Sequence, residues 1–208
     1  MIKSSFYHKI SLKYHPVNGI KNTCKVIKLL DIRTGQRVLD AGCGYGRMIP
    51  FILERTGKDG YVEGWDTDKI LLGQAQEAIQ NNNCRIFFKS LSEKPEEAYK
   101  CFFDRIILNF VIHETPEKEW IPIISNLLYC LKDDGLLGIF DFGRPDSFFM
   151  SLFQKLYYIM VEEPDHRKYI HKQINENYCQ IIINRIRLLN GFMEGQILRK
   201  SPIPRSSS

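Results

Sequence analysis

The sequence predicts an α/β fold with a mostly parallel, doubly wound sheet and helices on both faces. Two observations predict it: short apolar segments rich in β-branched and aromatic residues, and longer amphipathic segments that separate them. Such alternation is typical of parallel sheets, whose strands are connected by crossing helices. The expected strands are residues 37 to 41, 61 to 66, 85 to 89, 103 to 109 and 136 to 142.

The first strand leads into a loop with an acid and regularly spaced glycines. Val38 and Leu39 have strand character, Asp40 follows them, and glycine then occupies alternate positions, at Gly42, Gly44 and Gly46. Glycines let the chain turn sharply and bring its backbone against a ligand. A dinucleotide site would need its third glycine at Arg47, and the Lys-Ser/Thr ending of a P-loop is missing. The spacing therefore indicates a nucleotide cofactor of another kind.

The second strand ends at Asp66, twenty residues after Gly46. Open α/β folds place an acid that binds ribose hydroxyls at about this distance. The alternative for Asp66 is a helix cap, and both interpretations stay open. Asp68 is better suited to cap the helix that starts near Lys69.

The bulk properties limit the function classes. A chain of 208 residues is expected to form a single domain. Because it has neither a long apolar segment nor a signal-peptide pattern, we expect a soluble, cytoplasmic protein. The six cysteines lack metal-ligand spacing, so we expect reduced thiols and no metal site. Cys43 is interpreted as a small spacer in the glycine loop rather than as a nucleophile.

The formal charge of +5 is concentrated near the start. Residues 1 to 30 contain six lysines and no acid, within an expected basic helical segment that spans residues 1 to 34. Such a segment suits an anionic membrane surface, an acidic partner or nucleic acid. A solvated helix face explains the same pattern, and the alternatives stay open.

Residues 146 to 190 depart from the alternation and are expected to be helical throughout. Within them, residues 147 to 160 are unusually rich in aromatic side chains. This composition fits an apolar lid over a substrate and, equally, a helix packed on the edge of the sheet.

These motifs together resemble the class I S-adenosylmethionine (SAM)-dependent methyltransferases, which have a Rossmann-like fold. Most similar is the ubiquinone/menaquinone C-methyltransferase branch, whose Glu-Phe-Ser-Lys-Pro is matched by residues 141 to 145 after the fifth strand. The resemblance also rests on the glycine loop, residues 64 to 68, 103 to 107 and 131 to 137, on Asp165, Tyr169 and Ile170, and on Gly191 and Phe192.

The resemblance implies SAM as the cofactor and assigns residues to its parts. The methionine portion would contact Asp40 and the loop residues Gly42, Cys43, Gly44 and Gly46. The ribose would bind Asp66 beside Thr67, the adenine would lie between Ser90 and Leu91, and Asn109 would lie beside the transferring methyl. Relatives often carry an acid or amide where this chain has Ser90, so adenine stacking on Trp65 or Ile70 is expected to compensate.

Methylation at oxygen or carbon requires a proton acceptor. His113 follows the fourth strand, at the sheet edge where such folds bind ligands, and is the candidate base. The alternative is a helix-start residue bonded to backbone. His166 and Tyr169 are further catalytic candidates. The Asn-Pro-Pro-Tyr motif of amino methyltransferases is replaced by residues 109 to 112, so amino methylation of DNA or of protein glutamine is not expected. No nucleic-acid partner is expected either.

The expected function is SAM-dependent methyl transfer to carbon or oxygen of a small, lipophilic or aromatic, quinol-like acceptor. Two alternatives remain: a non-catalytic SAM-fold binding or regulatory protein, favoured by the unusual segment 132 to 135 and by Ser90, and an RNA or protein methyltransferase. The family usually ends in an antiparallel hairpin, but only sixteen residues follow Phe192. We therefore expect a short or absent last strand, and a homodimer that covers the exposed sheet edge.

Overall fold

A single seven-stranded sheet organises the protein. The computed structural model describes residues 20–79, 83–149, 151–152, 154–155, 180–188 and 191–200. The sheet order is β3-β2-β1-β4-β5-β7-β6. The strands are β1 (Arg37–Ala41), β2 (Tyr61–Asp66), β3 (Cys84–Phe88), β4 (Phe103–Asn109), β5 (Leu131–Phe142), β6 (Gln180–Leu188) and β7 (Met193–Lys200).

Helices connect the parallel strands. They are α1 (Ile20–Leu29), α2 (Ile49–Thr56), α3 (Lys69–Ala78) and α4 (Glu117–Cys130), with short 3₁₀ turns at Glu97–Tyr99 and Ile112–Glu114. None of the helices in the described ranges is long and apolar enough to cross a membrane. On α1, Lys25 and Lys28 are exposed while Val26 and Ile27 are buried, so this part of the basic segment is amphipathic.

Strand order creates the crevice that a ligand needs. Strands β1 to β5 run parallel, and β1 lies between β2 and β4. Chain order therefore runs outward in both directions from β1, and the loops after β1 and β4 leave the sheet on opposite sides. In open α/β sheets, ligands bind at this switch point, beyond the carboxyl ends of the strands.

The core lies on both faces of the sheet, as the sequence predicts. Val38 and Ile107 belong to the apolar cluster that packs against α1 and α2, whereas their neighbours Leu39 and Ile106 belong to the cluster under α4. Successive side chains of a strand point to opposite faces, so a strand buried on both faces reads as a continuous apolar run. Full burial of one such side chain is worth about 1.5–3 kcal/mol.

The predicted bounds of β1, β2 and β4 are confirmed, and β3 starts one residue earlier than expected. Strand β5 starts earlier as well, at Leu131 rather than at residue 136. Its pairing with β4 jumps from Phe103↔Leu131 to Arg105↔Leu136, so residues 132–135 form an irregular bulge inside the strand. The charged, glycine-containing segment suggests a strand boundary in the sequence. In the structure it is a bulge, which leaves the regular pairing ladder without ending the strand.

The prediction of a short or absent last strand is wrong. Strands β6 and β7 form a complete antiparallel hairpin, and β7 pairs with β5. The expectation that residues 146 to 190 are helical throughout is wrong for the same reason, since β6 occupies Gln180–Leu188. Gly191 permits the hairpin turn, because its φ is +81° and an added Cβ would overlap the Arg144 carbonyl oxygen. The homodimer stays a prediction, without the missing strand that motivated it.

The start of the expected lid is helical where it is described, between residues 148 and 155. Phe148 and Phe149 are about four-fifths exposed, at 78% and 80%. Gln154 is buried, and its Nε2 donates to the carbonyls of Gly143 at 2.9 Å and Phe192 at 3.4 Å, which ties this segment to the ends of β5 and β7. Residues 156–179 lie outside the described residues, so the choice between lid and core helix stays a prediction.

Candidate functional site

The glycine loop forms a tight turn at the end of β1. All three of its glycines have left-handed backbone, with φ values of +74° at Gly42, +50° at Gly44 and +70° at Gly46. The amides of Gly42 and Cys43 donate to the Trp65 carbonyl at 2.8 and 3.0 Å, which fixes the loop to β2. A Cβ on Gly42 would overlap Cγ2 of Val111, so the loop approaches the segment after β4 as closely as glycine allows.

Asp66 connects the glycine loop to the end of β2. Its Oδ2 accepts from the Gly44 amide at 2.8 Å, and its Oδ1 accepts from the amides of Thr67 at 2.7 Å and Asp68 at 2.9 Å. A carboxylate has about four acceptor positions, so capacity remains for a hydroxyl ligand. The cap of α3 is Asp68, whose Oδ1 accepts from the amides of Ile70 and Leu71.

Asp40 is a buried acid with unusual electrostatics. It is only 2% exposed, and its Oδ2 has no hydrogen-bond partner within the described part of the chain. Burial away from water, with a smaller contribution from the nearby Asp66 carboxylate, raises the pKa of Asp40 to about 7. A cation that reached this position would favour the ionised form.

A cavity of about 500 Å³ opens beside the loop. Among the expected cofactor residues, Gly42, Gly44, Asp66, Thr67, Ser90 and Leu91 line it. Asp40, Cys43, Gly46 and Asn109 are not among the residues that line it. The Oδ1 of Asn109, at the end of β4, is buried and has no hydrogen-bond partner among the described residues.

The far wall of the cavity holds the loop after β3. Ser90 and Ser92 place their hydroxyl oxygens 3.1 Å apart. From α4, Asn126 Nδ2 donates to the carbonyls of Leu91 at 3.0 Å and Glu93 at 2.9 Å, and so fixes the course of this loop. An amide in the middle of a helix gives no sequence signal for such an anchor.

The prediction that the adenine stacks on Trp65 or Ile70 is wrong, because neither side chain lines the cavity. Trp65 is 3% exposed and belongs to the core cluster under α4, where its Nε1 donates to Glu63. Ile70 is 72% exposed, and the cavity lining contains its neighbour Leu71 instead. In the first turn of α3, Leu71 faces the cavity and its neighbour Ile70 does not. The sequence alone does not tell which of two adjacent helix residues faces a cavity.

The charge of the cavity has one sign in the described part of the chain. The charged residues that line it are Asp66, Asp68, Glu114 and Glu119, and none is basic. Apolar contacts come from Leu71, Phe110, Val111 and Ile123. The lining therefore favours a ligand that combines an apolar ring with positive charge and disfavours a polyanion.

His113 pairs with a buried acid that the sequence reasoning missed as a site residue. The His113 side chain is 1% exposed, and its Nδ1 lies 2.8 Å from Oδ1 of Asp141 at the end of β5. Its Nε2 lies 3.6 Å from Oε1 of Glu114, which is 60% exposed and lines the cavity. Whether His113 is a base or a helix-start residue stays a prediction, since His113 lies in the 3₁₀ turn Ile112–Glu114. Strand-end position, the signal used for Asp40 and Asp66, also applies to Asp141.

Aromatic rings separate His113 from the cavity. The imidazole lies edge-to-face with Phe142 at 4.7 Å and with Phe110 at 5.9 Å between ring centroids. Phe110 also lines the cavity, and its φ of +56° is rare for a bulky residue. The left-handed backbone turns the chain at the end of β4, so Phe110 faces the cavity while His113 points toward β5.

Cys43 fits its expected role as a spacer. It is buried, and burial followed by the nearby Asp40 and Asp66 carboxylates raises the pKa of its thiol well above the usual range. A thiol that resists deprotonation is a poor nucleophile. His166 and Tyr169, the other catalytic candidates, lie outside the described residues.

The site fits SAM, the cofactor that the resemblance implies. Gly44 offers bare backbone, since a Cβ there would meet nothing nearer than Leu71 at 3.8 Å. Oδ2 of Asp40 and Oδ1 of Asn109 are buried acceptor atoms that lack a protein donor in the described part of the chain. The acids around the cavity suit the positive charge of the sulfonium and amino groups.

Comparisons with known proteins agree with this geometry. Residues 38–135 match the family model described as a methyltransferase domain. The demethylmenaquinone methyltransferase of Lactobacillus johnsonii is 24% identical over 139 residues, which are 64% of this chain and 55% of that protein. The ubiquinone/menaquinone biosynthesis C-methyltransferase UbiE of Vibrio campbellii is 21% identical over 204 residues, which are 89% of this chain and 78% of that protein. The chain thus spans little more than half of the first relative and about three quarters of the second.

Solved structures share the fold. A SAM-dependent methyltransferase from Aquifex aeolicus superimposes with a TM-score of 0.65 at 18% identity, covering 93% of this chain and 96% of its own. A TehB-like SAM-dependent methyltransferase from Corynebacterium glutamicum gives 0.63 at 18% identity, covering 95% of this chain and 100% of its own. Residues 38–135 thus match a methyltransferase domain, and the chain resembles the ubiquinone/menaquinone biosynthesis branch of the class I SAM-dependent methyltransferases.

Proposed function

We propose that this protein transfers the methyl group of SAM to carbon or oxygen of a small, lipophilic or aromatic acceptor of the quinol type. The observation that carries the acceptor class is the similarity to proteins named demethylmenaquinone and ubiquinone/menaquinone methyltransferases. The acidic and apolar lining of the cavity supports it, because such a lining repels the phosphates of nucleic acids.

Cofactor binding would use the end of β1 and the end of β2. The methionine portion would lie against the backbone from Gly42 to Gly46, with Cys43 as a spacer and Asp40 beneath the loop. The ribose would bind Asp66, with Thr67 beside it. Support comes from the Gly44 amide, which already holds the Asp66 carboxylate in place at 2.8 Å.

The adenine would occupy the wall formed by Ser90 and Leu91. Leu71 and Val111 would provide its apolar contacts, in place of the residues expected from the sequence. Asn109, at the end of β4, would lie close to the reacting centre. When bound, SAM supplies a methyl group that is activated by a positively charged sulfur.

The acceptor must lose a proton when its oxygen, or the ring carbon next to a hydroxyl, takes up the methyl group. His113 would act as the base, and support comes from the Asp141 carboxylate, whose Oδ1 lies 2.8 Å from Nδ1 of the ring. His166 and Tyr169 stay candidates for contacts on the acceptor side. The remaining task of the protein is to hold the acceptor in line with the methyl group.

Titration calorimetry tests the cofactor site. Asp66→Ala removes a charged hydrogen-bond partner, and such bonds contribute about 1.5–3 kcal/mol, so SAM should bind roughly ten- to a hundredfold more weakly. Asp59→Ala is the matched control, because Asp59 is an exposed acid in a surface turn. Undiminished binding by Asp66→Ala would refute the assignment of the ribose site.

An acceptor panel tests the reaction. Wild-type protein with methyl-labelled SAM is incubated with a short-chain demethylated naphthoquinol, a catechol, an RNA oligonucleotide and a protein extract. We expect label in the quinol or catechol products only. Labelled RNA or protein without labelled quinol would overturn the acceptor class, and failure to bind SAM or its demethylated product would favour a non-catalytic binding protein.

A further inference from the structure

One of the four acids that line the cavity has an uncommitted carboxylate. Asp66 and Asp68 already accept from backbone amides. Glu114 lies 3.6 Å from Nε2 of His113. Glu119, in the first turn of α4, is half-buried, and its side chain has no hydrogen-bond or salt-bridge partner within the described ranges. Its carboxylate is therefore the acid in the cavity that is most available to a ligand.

The side of α4 that carries Glu119 is directed at the loop after β3. Glu119, Ile123 and Asn126 follow one another at spacings of four and three residues, so they lie on one side of the helix. Ile123 lines the cavity together with Glu119. Asn126 Nδ2 donates to the carbonyls of Leu91 at 3.0 Å and Glu93 at 2.9 Å. This side of the helix and the loop therefore enclose the same part of the cavity.

The loop itself offers only hydroxyl side chains as acceptors at the cavity. The hydroxyl oxygens of Ser90 and Ser92 lie 3.1 Å apart, so one hydroxyl donates to the other and part of their hydrogen-bonding capacity is used. A hydroxyl accepts a hydrogen bond less strongly than an ionised carboxylate does. In the described part of the chain, no basic side chain lines the cavity and competes for Glu119.

We propose that Glu119 determines the nucleobase specificity of the cofactor site, because its carboxylate accepts the exocyclic amine of the adenine. The inference rests on the proposed function, in which the adenine lies against Ser90 and Leu91. It assigns a role in recognition to a residue of α4 that no sequence motif indicates.

The chemistry of the purine makes this contact selective. Adenine presents an amine, which donates, whereas hypoxanthine presents a carbonyl oxygen at the same position, which only accepts. An ionised carboxylate is also only an acceptor. Hypoxanthine therefore places two acceptors against each other at Glu119, and a site that leaves buried polar groups unpaired rejects the ligand.

Titration calorimetry with S-adenosylhomocysteine and its deaminated analogue, S-inosylhomocysteine, tests the proposal. The two ligands have the same ribose and the same amino acid and differ only in the purine. Wild-type protein should bind the adenosyl compound at least about tenfold more tightly, the lower end of the range for a hydrogen bond to a charged group. Equal affinities for the two ligands would overturn the proposal.

Glu119→Gln should remove most of this preference. A glutamine amide accepts from the amine of adenine and donates to the carbonyl oxygen of hypoxanthine. We expect the ratio of the two affinities to fall about tenfold, toward one, while both ligands still bind. Glu117→Gln is the matched control, because Glu117 is an exposed acid of the same helical turn that does not line the cavity, and it should keep the wild-type ratio.

Two further variants separate Glu119 from its neighbours. Asp66→Ala should weaken both ligands by the same factor, because they share the ribose. Ser90→Ala should keep the wild-type ratio. If Ser90→Ala abolishes the preference and Glu119→Gln does not, the loop holds the amine and the proposal fails. Failure of the proposed function would look different: wild-type protein that prefers the adenosyl compound would methylate no quinol.

Discussion

Asp40→Asn should make the stability of the cofactor-free protein less sensitive to a rise in pH from 5 to 8. In the folded state, burial followed by the Asp66 carboxylate raises the pKa of Asp40 to about 7. In the unfolded chain an aspartate titrates near 3.9. Between these values the folded state keeps the proton and the unfolded state releases it. The free energy of unfolding therefore falls as the pH rises toward 7, and the loss is complete above it.

The magnitude follows from the separation of the two pKa values. From about 3.9 to about 7, at 1.36 kcal/mol per unit, the full effect is roughly 4 kcal/mol. The part that lies between pH 5 and 8 is about 3 kcal/mol. An asparagine has no proton to release in this range, so the variant should lack this contribution while keeping the shape of the side chain.

Urea unfolding at several pH values between 5 and 8 measures the effect. The stability of Asp40→Asn relative to wild type should increase by about 3 kcal/mol across this range, and Asp59→Asn should show no such trend. Saturating SAM should reduce the difference in pH dependence between the two proteins, because the positive charge of SAM offsets the negative charge of the ionised Asp40. Equal pH slopes for wild type and Asp40→Asn, in the absence of SAM, would refute the burial argument.

Three further outcomes follow from the site and its surroundings. Gly42→Ala should lose about 1–3 kcal/mol of stability and bind SAM more weakly, because its Cβ would overlap Val111. The control is Gly73→Ala, whose Cβ would have no neighbour within 4 Å, and it should be neutral or stabilised by up to about 1 kcal/mol in the same urea series. Native protein treated with iodoacetamide at pH 8 should keep Cys43 unmodified in peptide mass spectra, and modification as fast as in the denatured protein would contradict the buried, high-pKa thiol. Gln154→Leu should increase proteolytic cleavage between residues 147 and 155, because the side-chain amide no longer donates to the carbonyls of Gly143 and Phe192; an unchanged cleavage rate would mean that this anchor contributes nothing.

The cofactor half of the fold could be predicted from sequence because its signals are local. Asp40, the glycine loop and Asp66 lie at strand ends, where period-two burial and the need for positive φ leave few alternatives. The cap formed by Asp68 is equally local and is confirmed. The prediction that adenine stacks on Trp65 failed because Trp65, at the carboxyl end of β2, points to the face of the sheet that α4 covers. Which face a helix covers could not be read from the sequence.

The second half depends on contacts between distant segments. The β6–β7 hairpin was missed because an isoleucine-rich run that follows an aromatic segment fits a helix or a strand equally well. The pairing of His113 with Asp141 joins residues 28 positions apart and becomes visible only when β4 and β5 lie side by side. The contact between Asn126 and the loop at Leu91 also joins distant segments, so it could not be predicted from the sequence either.

Phe110, the left-handed residue that follows β4, lies between the cavity and the aromatic cluster around His113. Phe110 lines the cofactor cavity on one side and contacts the ring of Phe142 at 4.9 Å on the other. The ring of Phe110 thus belongs both to the cavity wall and to the aromatic cluster around His113. A substitution at Phe110 would consequently change the cavity wall and the packing of Phe142 at the same time.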